Sequence, residues 1–150
     1  MKRLLLYLVT GLFTLSLAAA IALYLFVSSI RESHVVSNVP DQAEFAAILS
    51  RDLNSYFSGK LARDVDVQYQ LLRNQPTQTG IAFPKFYGWV TIASRPSGAR
   101  IAEGAVRLAA RNKASISVTD FVSIDDIKTH PDDLKRIFPP GVIAKIKDHL

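Results

Sequence analysis

Side chains able to do chemistry are few and scattered along this 150-residue chain. The histidines are His34, His130 and His149, far apart in sequence, and no cysteine is present. A metal site needs clustered His, Cys or carboxylate ligands, and none is expected here. The pairs Asp125-Asp126 and Asp132-Asp133 lack the oxygen-rich loop of a calcium hand and read as helix-start acids. Nucleophilic catalysis needs a Ser or Cys served by a base. No G-x-S-x-G, Walker loop or dinucleotide fingerprint occurs. Glycoside hydrolysis needs two positioned carboxylates, and Asp64, Asp66 and Glu103 form no marked pair. Asp120 is the one acid to weigh. Strict alternation carries it after Ile116 and Val118 onto an apolar face, where a buried acid can serve proton transfer. The competing reading is a strand-end acid that reaches solvent or caps the next segment. The expectation is a non-enzymatic protein with no catalytic residue, no metal and no cofactor.

Binding chemistry is better marked. Over Lys85–Ser94 the apolar positions alternate, so Phe86, Gly88, Val90 and Ile92 share one face, and Tyr87, Trp89 and Thr91 the other. In the next apolar stretch Arg107 and Arg111 also point away from the small-residue face Ala102, Gly104, Val106, Leu108 and Ala110. If the apolar set is the core, Tyr87, Trp89, Arg107 and Arg111 form an outward patch. Aromatic residues and arginine dominate binding hot spots, and a guanidinium over an indole gains cation–π attraction. The alternative is that the C-terminal tail folds back and covers Tyr87 and Trp89.

The elements that must hold these residues follow from pattern. Leu4 to Ile30 runs 27 residues with neither charge nor proline. As a helix rising about 1.5 Å per residue it reaches roughly 40 Å, enough to span a bilayer core of about 30 Å with some tilt. Lys2 and Arg3 precede it, whereas Arg31 and Glu32 beyond it cancel. The positive-inside rule therefore puts the N-terminus in the cytoplasm. A cleaved signal peptide ending near Ala18-Ala19-Ala20 is the rival reading, but the apolar run continues through Val27 and is longer than such a leader's core. Small-residue pairs, Ser16 with Ala20 and Ala18 with Ala22, leave a homo-oligomer open.

With Lys2 and Arg3 set aside, 16 basic and 13 acidic side chains remain. That imbalance is too small to imply nucleic acid. Residues 45–113 hold ten basic and four acidic side chains, a middle suited to anionic lipid head groups or an acidic partner.

The domain reading is an anchor over 1–30, a linker over 31–40, an α+β domain over 41–122 and a helical tail over 123–150. Asp41 is expected to cap a helix bearing Phe45, Ile48, Leu49, Leu53, Tyr56 and Phe57, which Gly59 stops. Four strands follow, near 64–73, 85–94, 100–111 and 114–122, with turn residues between them. Short sequential connections argue for an antiparallel meander with the helix on one face. Pro131 and Pro140 punctuate two short tail helices that pack on the domain or dock from it.

A helix followed by a four-stranded antiparallel sheet resembles the cystatin-like or NTF2-like α+β group in layout over residues 41–122. Bacterial secretion-system scaffolds with one N-terminal span and a periplasmic domain are similar in plan. The layout does not fix function; the uncharged run, its flanking charges and the missing cysteines lead to the expectation of a single-pass protein of the bacterial inner membrane whose periplasmic domain binds another envelope protein, as assembly factor, scaffold or accessory subunit. The alternative is a small-ligand or lipid-binding module with a pocket between helix and sheet lined by Phe45, Phe57 and Tyr69.

Overall fold

The computed structural model describes residues 16–27, 38–78 and 82–150. The chain divides into two compact units, Met1–Val36 and Ser37–Leu150. In the first, residues 16–27 form a helix (α1) with exposed apolar side chains such as Leu17, Ile21, Leu23 and Phe26. Among the described residues no helix is long and apolar enough to cross a membrane. Residues 1–15 and 28–30 of the expected anchor, and 31–37 of the expected linker, lie outside the described residues.

In the second unit the helical spacing after Pro40 forms α2, Gln42–Leu61, with Ile48, Leu49, Leu53 and Phe57 buried. Three details differ from the sequence expectation. The linker ends early, because Pro40 is buried and Val39 packs on the core. Asp41 occupies the N-cap position without a side-chain cap bond, since its carboxylate faces Lys113 at 3.6 Å instead. Gly59 does not stop the helix. The chain turns at Ala62, which takes the left-handed conformation at φ 51°, and Ala62 and Arg63 donate N–H bonds back to Gly59 and Ser58.

Four strands make one antiparallel sheet in sequence order: β1 (Val65–Leu71), β2 (Lys85–Ser94), β3 (Arg100–Asn112) and β4 (Ser115–Ser123). The fold is thus α+β, and GAVRLAARN (residues 104–112) is strand despite its helix-favouring residues, because both neighbours pair with it. One face, bearing Val65, Val67, Phe86, Val90, Ile92, Val106 and Leu108, packs on α2. The small residues of β3 are not all there to admit the helix. A Cβ on Gly104 would fall on the Val122 carbonyl oxygen, the Ser123 backbone and the Phe121 ring, so this glycine permits close approach of β4.

An exposed strand edge invites unwanted pairing, and α2 blunts both edges. Ser58 Oγ and Asn54 Oδ1 accept the N–H groups of Val65 and Val67 on β1. Asp52 accepts the Ile116 N–H on β4, and Arg51 donates to the Ala114 carbonyl.

The tail forms α3 (Ile124–Thr129), α4 (Asp133–Ile137) and α5 (Pro140–Lys147). Ser123 caps α3 by accepting the Asp126 N–H. The expected helix-start role of Asp125 and Asp126 is what the first turn of α3 shows. Ile127, Leu134, Phe138, Val142 and Ile146 are buried with Leu72, Tyr87, Trp89, Ala105 and Val122 in a second core on the other face of the sheet. The sheet lies between α2 and the tail, and the tail packs on the domain instead of projecting from it.

Candidate functional site

Tyr87, Trp89 and Arg107 meet on that second face, with Tyr87 and Arg107 as cross-strand partners in β2 and β3. The outward patch expected from alternation is corrected here. Both aromatics point away from the α2 core, but they are 4% exposed because the tail covers them. Tyr87 packs its ring 6.0 Å from that of Phe138 and shares a 2.8 Å hydrogen bond with the Thr77 hydroxyl. The Trp89 indole is stacked by His149 at 4.8 Å and 9°. Its Nε1–H donates to Glu103 Oε1 at 2.7 Å, and Arg100 holds the other carboxylate oxygen at 2.7 Å. The physical reason is area. A large aromatic pair leaves more apolar surface than a soluble face tolerates, and a short amphipathic tail is at hand to bury it.

Arg107 is a fastener of the same tail. Its guanidinium donates to Asp120 at 2.6 Å and to the Ile137 carbonyl at 3.3 Å. Asp120 reaches it because β4 bulges. Leu108 faces Val118 while Arg107 faces Asp120, so Thr119 is the extra residue. The bulge reverses the alternation, sending Phe121 into the α2 core and Asp120 to the opposite face. The expectation of Asp120 on the apolar face is therefore wrong, and the acid is committed to an ion pair. Arg111 stands apart from the other three. It is exposed at the end of β3, donates to Ser117 Oγ at 3.3 Å and lies 5.3 Å from the Phe83 ring.

Two clefts flank these elements. One, about 430 Å³, is lined by Val39, Pro40, Phe45, Leu71, Pro76 and Phe86, where α2 begins beside the ends of β1 and the following loop. Of the pocket residues expected from sequence only Phe45 lines it. Phe57 is closed into the core against Phe121, with rings 5.0 Å apart. The other, about 280 Å³, is polar and lined by Gln68, Tyr69, Gln70, Trp89, Thr91, Glu103 and His149. Glu103 was legible there, since alternation puts it on the Trp89 face. His149 was not, because nothing local says where a C-terminus lands.

Among the described residues no group of three or more His, Cys, Asp or Glu is placed to hold a metal ion. Asp132, just before α4, and Lys135 within it form a solvent-exposed pair whose titration is displaced. The hydrogen bond from Lys135, and then its charge, hold Asp132 below the usual carboxylate range, and the same contact raises Lys135. That pair marks no site. Compared with protein-family models, with curated proteins and with solved structures, the chain finds no match in any of the three.

Proposed function

We propose that this is a non-enzymatic, single-pass protein of the bacterial inner membrane, with a cytoplasmic N-terminus and a periplasmic α+β domain of cystatin-like or NTF2-like layout. The domain binds another envelope protein, as assembly factor, scaffold or accessory subunit. The observation that carries the reading is the uncharged apolar run Leu4–Ile30 preceded by Lys2 and Arg3. Tethering raises the local concentration of a binding domain for any partner in the same membrane. The ion pair that occupies Asp120 supports the non-enzymatic part. On this reading Tyr87, Trp89 and Arg107 serve binding by seating the tail, and the partner meets the surface that the seated tail presents, while Arg111 stays exposed at the end of β3.

The chain has no cysteine, so a single Ser97→Cys in the exposed β2–β3 turn gives an unambiguous topology probe. The expected result is labelling by a membrane-impermeant maleimide in intact spheroplasts, with the chain retained in carbonate-washed membranes. Protection until lysis, or release by carbonate, refutes the placement. For the partner, the proteins that co-purify in mild detergent should change with Trp89→Ala plus Arg107→Ala. An unchanged set refutes the surface.

The cleft beside Phe45 favours a second reading, a periplasmic ligand- or lipid-binding module, because its volume lies within the range of small-molecule sites. Native mass spectrometry showing a stoichiometric bound molecule would select it.

A further inference from the structure

The second unit exposes few large apolar side chains. Among its described residues only Phe83 and Leu150 do so. Phe83, 40% exposed, stands at one end of the sheet, where β1 ends, β2 starts and β3 turns into β4. Arg73, Lys85, Arg111 and Lys113 stand at the same end, and the Arg111 guanidinium lies over the Phe83 ring. Among the described residues no carboxylate pairs with Arg73, Lys85 or Arg111. Among the acids near this end, Asp41 faces Lys113 and Glu44 stands in the first turn of α2. The opposite end interleaves Lys60, Arg63, Arg95 and Arg100 with Asp64, Glu103, Asp125 and Asp126.

The chain also joins the domain at this aromatic and basic end. The contact between Asp41 and Lys113 and the 4.9 Å approach of the Phe45 and Phe86 rings fix the start of α2 there.

We infer that this end rests on an anionic lipid surface, with Phe83 at head-group level and Arg73, Lys85, Arg111 and Lys113 on the lipid phosphates. The inference rests on the tethered reading above and names the surface that meets the bilayer. A ring at head-group depth gains from its apolar body, while the flanking cations gain from surface charge. Each cation near an anionic leaflet is worth about fivefold in surface affinity, a gain that salt screens.

The test reconstitutes the full chain bearing Phe83→Trp into vesicles with brominated acyl chains. Trp89, buried under the tail, supplies the wild-type background. In mixed phosphatidylglycerol and phosphatidylcholine vesicles, the tryptophan introduced at position 83 should be quenched well beyond that background. In phosphatidylcholine alone the extra quenching should disappear. Adding Arg111→Gln and Lys113→Gln should lower surface affinity about thirtyfold, abolishing most of it. An unchanged emission maximum in the wild-type Trp89 background carrying those two substitutions certifies the fold. Quenching no greater than background in the anionic vesicles overturns the inference, as does equal quenching in both lipids. If the wild-type chain fails to float with phosphatidylcholine vesicles, the tether itself is refuted, which a quenching failure in floated vesicles is not.

Discussion

Replacing Ile146 with alanine tests how the tail is held. Ile146 is 0% exposed and sits among Trp89, Val142 and Phe138 in the second core. The substitution removes three carbons, worth about 0.8 kcal/mol each in transfer from water, or roughly 2.4 kcal/mol. The vacated space adds a cavity term, so a loss of about 3 kcal/mol is expected, within the usual range for such truncations. Helix α5 has eight residues, too few to persist without a seat. The loss therefore falls first on whether α5 stays down. Trp89 is the chain's only tryptophan and lies beneath the tail, so its emission reports the seat directly. Ile146→Ala should shift that emission to the red in water and lower the guanidinium midpoint. Far-UV circular dichroism should keep the sheet signal, because the α2 core shares no side chain with this one. An emission maximum and a midpoint equal to wild type would refute the packing argument and return the tail to a free docking peptide.

Three further outcomes follow from the same geometry. Ala62→Gly should stabilise the domain by about 0.5–1 kcal/mol in a chemical melt, since a glycine adopts the left-handed turn without the alanine's steric cost and gives back part of that gain in unfolded-chain entropy. Gly104→Ala should cost about 3 kcal/mol in the same melt, because the added methyl meets the β4 backbone, which cannot move aside as a side chain would. A double-mutant cycle on Arg107→Met and Asp120→Asn should return a coupling of about 1 kcal/mol, kept small by exposures of 25% and 24%. In that cycle Arg107→Met should be the costlier single change, as it also strips the donor from the Ile137 carbonyl.

Much of this architecture was legible in the residues alone. Period-two alternation located β2 to the residue, and the helical spacing of Phe45, Leu49, Leu53 and Phe57 defined the buried face of α2. Both are local signals, repeated often enough that one irregular position does not erase them. The uncharged run Leu4–Ile30 and the missing cysteines are compositional facts that need no fold.

What the tertiary structure alone decided was which side of the sheet met what. Alternation says that Tyr87 and Trp89 oppose Val90. It cannot say that residues 134–149 return to cover them, since that pairing spans some sixty positions and depends on how three short helices turn. A single bulge at Thr119 was enough to move Asp120 from the expected apolar face to Arg107, because one inserted residue reverses every later side chain. The cluster of Phe83, Arg73, Lys85, Arg111 and Lys113 is likewise invisible in sequence order. Its members come from three separate segments, and only the antiparallel register brings those segments to one end.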